Sequence, residues 1–319
     1  MEISVIICAY NPRPHYLARV LAALRGQTLP VEQWELLIID NASREPLTAA
    51  TLDLLWHPRA RIVREEELGT ALARMRGMRE RVTDLLVFVD DDNVLDTAYL
   101  AEARRIGHEW PQLGVWGGSS VPEFEVEPAE YLRGFVRLLA LREVKTPQWS
   151  NVSSCREADP WGAGMCIRAK VAAEYCRFYN ESRIRVGGRV GKKNLISGED
   201  TEMCFVACGM GLGMGIFPTL RLVHLIPKER VAEDYIVGIY TGIQTSLHLI
   251  EYKWRGIVLS SPYSLINALR VCKQFLLERR FQRRIYIARL RAIANARRII
   301  AASKNQTQVL MKNPWIISS

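Results

Sequence analysis

A chain of 319 residues that is 49% hydrophobic and 24% charged has an ordinary globular composition, which excludes disorder and collagen-like repeats and leaves ample chain for a core. No apolar run approaches the roughly 18 residues of a membrane span, and the first residues lack the basic segment of a secretory leader. A cytoplasmic protein of one large domain or two modest ones is therefore expected. The net charge of +9 is unevenly placed: residues 252–319 hold 14 Lys and Arg against one acid, Glu278, a balance of +13, while residues 1–251 sum to −4. A near-neutral body with a basic tail points to an anionic partner, whether lipid, nucleic acid or an acidic subunit.

The first half alternates strands with helices. EISVIIC is a short apolar strand followed by the turn Ala9-Tyr10-Asn11-Pro12. Leu17, Val20, Leu21 and Leu24 then recur at helical spacing. WELLIID is a second strand and Arg61-Ile62-Val63-Arg64 a shorter third. Leu72, Met75 and Met78 mark another helix face, and LLVFVDDDN is a fourth strand. Near-continuous apolar strands between helices predict an α/β fold: a mostly parallel central sheet flanked by helices.

Residues 119–225 are less regular. They carry an expected helix around Tyr131–Leu141, the segment WGAGMCIRAK, a Gly-rich basic loop (RVGGRVGKKN) and SGEDTEMCFVACGMG, in which GED opens a helix with Met203, Val206, Ala207 and Met210 on one face. After residue 226 the pattern is helical. The divisions expected are 1–118, 119–225 and a helical, basic C-terminal extension over 226–319. Seven cysteines, scattered and without a CxxC pair, read as reduced thiols. Cys204 and Cys208 share a helix face, but no His or Cys cluster completes a zinc site.

Ligands of parallel α/β sheets bind beyond the carboxyl ends of the strands. Those ends carry Ala9-Tyr10-Asn11, Asp40-Asn41 and Asp90-Asp91-Asp92. Three adjacent carboxylates repel one another unless a cation sits among them. Asp90 and Asp92 point the same way if strand geometry persists, and hard oxygens suit Mg²⁺ or Mn²⁺ with phosphate completing the shell. The bland alternative is a solvated turn capping the next helix. Each other residue has its own. Asp40 fits an Asx-turn, Arg74 a solvated helix charge, Glu199-Asp200 a helix N-terminal cap rather than a general base, and His224 a core histidine. Trp161 fits either core packing or a sugar platform.

Taken in order, SVIICAYNP, LLIIDNAS, LGTALARMRG, VFVDDDN, WGAG and GED resemble the family 2 glycosyltransferases over about residues 3–225. The resemblance implies the GT-A fold and an inverting, metal-dependent transfer from a nucleotide-sugar donor, a UDP-sugar by default, to a hydroxyl of a sugar or lipid-linked glycan acceptor. It implies that Ala9, Tyr10, the adjacent Asn11 and Asp40 form the pocket for the nucleotide base, and that Arg74 lies near base and phosphates. Asp90 and Asp91 would face ribose and sugar, and Asp92 and His224 would ligate Mn²⁺ or Mg²⁺. Asp200 would be the base, with Glu199 helping to place the acceptor. The Q-x-x-R-W motif of processive members is absent, which argues for adding one sugar or a few.

From Tyr263 to Ile300 apolar residues mix with arginines, and Leu265, Leu269, Leu276, Phe281, Ile285 and Leu290 fit one or two helices with an apolar side. Such a helix either lies on an anionic membrane, making the protein peripheral to its inner face, or packs on the catalytic domain with its arginines solvated. Two other classes stay open. A metal-dependent phosphoryl or nucleotidyl transferase would also use clustered aspartates. A nucleic-acid-binding protein would use the basic tail, but a row of acids repels phosphate, so no nucleic acid partner is expected.

Overall fold

The structure, a computed structural model, describes residues 2–187, 195–258, 269 and 279–305. Most of the Gly-rich basic loop, together with Leu265 and Leu276, lies outside the described residues. The elements in order are β1 (Ile3–Ala9), α1 (Pro14–Arg25), β2 (Trp34–Asn41), β3 (Ala60–Glu65), α2 (Thr70–Glu80), β4 (Leu85–Asp90), β5 (Asn93–Leu95) and α3 (Tyr99–Glu109). Then come β6 (Leu113–Phe124), β7 (Gln148–Ser150), β8 (Cys166–Arg168), α4 (Ala169–Glu181), α5 (Glu199–Gly209), β9 (Gly213–Ile226), α6 (Glu233–Arg255) and α7 (Arg280–Asn305).

The strands form one sheet in the order β3-β2-β1-β4-β8-β6-β9-β5, with β7 also on β9. The first four are mutually parallel, as the sequence predicts. The second half is mixed. β8 runs antiparallel between β4 and β6, and β9 pairs parallel with β6 but antiparallel with β5 and β7.

Successive residues of a strand point to opposite faces, and both faces are covered here. Ile6, Leu37, Ile39, Leu86 and Phe88 pack with Met75 and Met78 of α2, Tyr175 of α4 and Met203 of α5. Ile3, Val5, Ile7, Leu36, Ile38, Val87 and Val89 face the other way, onto Leu17, Val20 and Leu24 of α1 and Leu100 and Ile106 of α3. Two buried faces are why these strands read as unbroken apolar runs.

The helix expected around 131–141 is instead a 3₁₀ run, Glu130–Leu139, ended by Ala140 in the left-handed region (φ 58°). Gly134 in its middle disfavours the α form. Its Leu132 and Leu139 join Ile236 of α6 and Phe281 and Ile285 of α7 in a third cluster. Along α7, Phe281, Ile285, Ala288, Ala292, Ala296 and Ile300 recur at three- and four-residue spacing and are all buried. The apolar side of this helix is therefore covered by the protein itself. Arg280, Arg289, Arg291 and Arg298 are exposed. Among the described residues no helix is long and apolar enough to cross a membrane.

One buried ion pair ties α6 to α5. Glu202 is fully buried and receives Lys253 Nζ at 2.6 Å and Trp254 Nε1 at 3.3 Å. Burial pushes its carboxyl up despite Lys253, and burial pushes Lys253 down. Breaking such a pair leaves an uncompensated charge in the core. Lys253→Met should cost about 3–5 kcal/mol in urea unfolding, and Glu202→Leu/Lys253→Met should recover most of that loss.

Candidate active site

Because β1, β2 and β4 are parallel and in register, Ala9 lies beside Asp40 and Cys8 beside Asp90, so the three strand ends share one rim. The chain leaves two of them through left-handed non-glycine residues, Asn11 (φ 46°) and Ala42 (φ 56°). Backbone conformations of this kind persist where surrounding contacts enforce them. Here Asn11 N–H donates to Ser43 Oγ and Asn11 Oδ1 accepts from Arg44 N–H, joining the two turns.

Below the rim lies a cleft of about 250 Å³. Tyr10, Arg74, Asp90, Asp91, Asp92, Glu199, Asp200 and His224 all line it, as does Arg230. Two halves of the sequence thus converge: the strand ends from the first, and α5, β9 and the turn Lys228–Val231 from the second.

Arg74 is not a solvated helix charge. Its guanidinium is buried beneath the cleft, with Nη2 3.2 Å from Asp90 Oδ1 and Nη1 3.0 Å from Glu199 Oε1. Burial works against its charge, but Asp90 and Glu199 hold it above its usual value. Gly162 makes the room, since a Cβ there would overlap the guanidinium. Cys8, close by, is pushed up to about 12 by burial and stays a thiol.

The three aspartates do not act alike. Strand geometry stops at Asp90, and the chain turns through Asp91 and Asp92 before β5 starts at Asn93. The expected alignment of Asp90 with Asp92 is therefore lost. Asp90 pairs with Arg74, whereas Asp92 is buried against β9. There its Oδ2 is 2.8 Å from Arg230 Nη1 and its Oδ1 3.4 Å from His224 Nε2. Asn93 sits opposite His224 in the β5–β9 ladder, which fixes this approach. Asp91 lies between them, and burial, with Asp92 beside it, raises its carboxyl well above the usual range.

Glu199 and Asp200 open α5 after Gly198 (φ 139°). Glu199 is buried and spent: Oε1 on Arg74, Oε2 accepting from Gly198 N–H at 3.0 Å. Asp200 is half-exposed, and each of its oxygens accepts one backbone N–H, from Thr201 (2.8 Å) and Gly162 (3.0 Å). A carboxylate so held is aimed yet keeps lone pairs free for a proton. Asp159, in the same electrostatic neighbourhood, is raised to about 7 by burial and by Asp200, against the pull of Arg156.

Three expected residues stand apart. Asp40 is buried outside the cleft, where its carboxylate accepts from Ser43 N–H, Leu47 N–H and Arg64 Nη1. Burial raises it, but the Ser43 and Arg64 bonds prevail and hold it low. Asp40 does border a larger cavity of about 680 Å³ under residues 46–58. Ala9 is buried in β1, and Asn11 shapes the rim by its turn. One face of Trp161 is stacked on Arg142, 3.4 Å from its centroid.

Arg230 and Gly162 escaped the sequence reading. Arg230 follows Pro-Lys-Glu and looks like a surface charge. Only its contact with Asp92, remote in sequence, reveals it. Gly162 lies in WGAG, but its reason is the guanidinium under it.

A divalent cation suits this cleft on charge and donor chemistry. Five carboxylates (Asp90, Asp91, Asp92, Glu199 and Asp200) face two guanidiniums, so an anionic ligand would be repelled unless cations accompany it. His224 Nε2 and the Asp92 carboxylate face a common point, so a nitrogen and an oxygen donor converge there, while His224 Nδ1 is buried without a hydrogen-bond partner. Among the described residues no three His, Cys, Asp or Glu converge as a ready metal site. A cation held there by Asp92 and His224 would take its other positions from ligand oxygens and water, as is common for Mg²⁺.

Residues 4–105, less than half of the chain, match the family model "Glycosyl transferase family 2". No curated protein sequence matches the chain. Among solved structures, the crystal structure of S. aureus TarS 1-349 aligns with 96% of this chain and 92% of that one, at 14% identity and a TM-score of 0.48.

Gly162→Ala should force Arg74 off its two carboxylates and cost about 1–3 kcal/mol in urea unfolding. Gly134→Ala, where a Cβ meets nothing, is the control and should stay within about 0.5 kcal/mol of the parent.

Proposed function

We propose that this chain, whose residues 4–105 belong to glycosyl transferase family 2, is an inverting, metal-dependent glycosyltransferase that moves sugars singly, or a few in turn, from a nucleotide-sugar donor to an acceptor hydroxyl. The observation that carries this reading is one cleft holding both a cation-seeking aspartate group and a separately oriented carboxylate, Asp200. The division of labour follows from chemistry. An acceptor hydroxyl is a weak nucleophile at neutral pH, so a carboxylate must take its proton as it attacks. Asp200 is the base, and the N–H groups of Gly162 and Thr201 keep it from turning away.

Attack from the face opposite the departing diphosphate inverts the anomeric carbon, which gains oxocarbenium character on the way. Asp92 and His224 would hold Mn²⁺ or Mg²⁺, and that ion supplies neutralisation of the leaving diphosphate. Asp90 and Asp91 line the cleft beside them and would face the donor's ribose and sugar. Tyr10, exposed at the lip, offers its ring to the base. Asp40 contributes by fixing the turn through Ser43 and Leu47. Arg74 and Glu199 position the rest.

The donor class follows the family, a UDP-sugar first. The acceptor is a cell-envelope glycan precursor, lipid-linked and reached from the cytoplasmic face. The exposed arginines of α7 support that placement by giving anionic lipid a surface to meet, worth about 1 kcal/mol per charge near a membrane. With its apolar side covered, α7 would bind by charge alone, so association with anionic vesicles should fade with salt. Arg289→Glu/Arg291→Glu/Arg298→Glu should abolish it in a sedimentation assay.

Two further outcomes test the enzyme. Asp200→Asn should lower release of nucleoside diphosphate from the true donor by at least about a hundredfold while leaving nucleotide affinity unchanged. A binding protein would be indifferent to this change. Thermal shift across UDP, GDP, dTDP and CMP should give a midpoint rise with one diphosphate that requires Mn²⁺. No rise with any nucleotide would contradict the donor site.

A further inference from the structure

Arg230 Nη1 occupies a singular position. It lies 2.8 Å from Asp92 Oδ2 and 3.1 Å from His224 Nε2, and that same ring nitrogen is 3.4 Å from Asp92 Oδ1. One charged N–H thus fills the point on which two cation ligands converge. If His224 Nε2 accepts from Arg230, the ring proton falls to Nδ1, the atom that is buried without a partner. The imidazole lone pair is then directed at the guanidinium as it would be at a metal ion.

The three groups differ in how firmly they are held. His224 is within β9 and Asp92 immediately precedes β5, with the two strands paired. Arg230 hangs from the four-residue turn Lys228–Val231 and reaches the pair through a long side chain that is partly exposed. The turn itself is pinned elsewhere, by Lys228 N–H on Glu125 and by Glu229 on Arg13. The side chain can therefore leave without dragging the backbone. Arg74, the other guanidinium of the cleft, is locked in two ion pairs.

From this geometry we infer that Arg230 is a built-in cation that holds the divalent-metal seat of Asp92 and His224 in the nucleotide-free protein and must vacate it for the metal to enter. This rests on the metal site of the proposed function. It adds that the protein competes with its own metal. Arg230 neutralises buried Asp92 while the seat lacks a metal. Once displaced, it is the cleft guanidinium able to turn to the phosphates of the donor. Metal without nucleotide should then bind weakly, because entry costs the Arg230–Asp92 pair with nothing offered in return.

The test is the affinity of the nucleotide-free protein for Mn²⁺, followed by the electron paramagnetic resonance signal of free Mn²⁺. Arg230→Gln keeps a donor amide but removes the charge, and should bind Mn²⁺ about tenfold or more tightly than the parent. Arg230→Met, without a donor, should do the same, and the comparison uses whichever variant keeps the native circular dichroism spectrum. Adding Asp92→Asn should abolish the gain. In the unaltered protein Mn²⁺ should speed modification of Arg230 by phenylglyoxal, mapped by mass spectrometry. Equal or weaker Mn²⁺ binding by the charge-free variants, or an unchanged modification rate, overturns the inference. Nucleoside diphosphate binding, measured on the same samples, separates the two claims. If UDP, GDP and dTDP all fail to bind with Mn²⁺ present, the donor reading fails. If one binds but removal of Arg230 leaves Mn²⁺ affinity unmoved, only the role of Arg230 does.

Discussion

The cleft is organised around one buried charge. Arg74 joins Asp90, at the end of a strand in the first half of the chain, to Glu199, at the start of a helix in the second. A buried guanidinium without partners is very costly, and so is the buried Glu199 carboxylate without it. Arg74 and Glu199 therefore require each other, and their pair ties the start of α5 to α2 beneath the cleft. Asp200 is the next residue after Glu199, so its placement follows. Gly162 serves the same arrangement twice: it leaves room for the guanidinium and gives its N–H to Asp200.

Around this bridge the cleft keeps more negative charge than its two guanidiniums offset. Such crowding works against stability, and at Asp91 burial first, then the neighbouring Asp92, raises the carboxyl. The cation of the proposed function would offset that excess. Stability comes from the core instead. Both sheet faces are covered, and the Glu202–Lys253 pair ties α6 to α5, the helix that carries Glu199 and Asp200. The extension after residue 226 is thus part of the support of the cleft, through the turn that carries Arg230 and through α6.

Much of this was legible in the sequence, for physical reasons. β1, β2 and β4 are buried on both faces, so they stand out as apolar runs, and parallel pairing places their carboxyl ends together. GED marks a helix start because acids suit that position. What escaped depends on contacts between distant residues. β5, β7 and β8 have three residues each, too few for a period to show. Arg230 looks like a surface charge until Asp92 is brought to it, and Arg74 stands out only through the family resemblance, its two carboxylate partners being remote in sequence. α7 reads as amphipathic, but only its packing shows which partner covers the apolar side. Asp40 was readable as an Asx-type residue, and that is how its carboxylate is used.

The central claim is that the Arg74–Glu199 contact carries the geometry of the cleft. A double-mutant cycle on Arg74→Met and Glu199→Gln, read by urea unfolding, measures it most directly. The account predicts strong non-additivity, with a coupling of about 1–3 kcal/mol, because each single variant strands the charge of the other. Effects that add to within about 0.5 kcal/mol would contradict it, and the two halves of the cleft would have to be held together by something else.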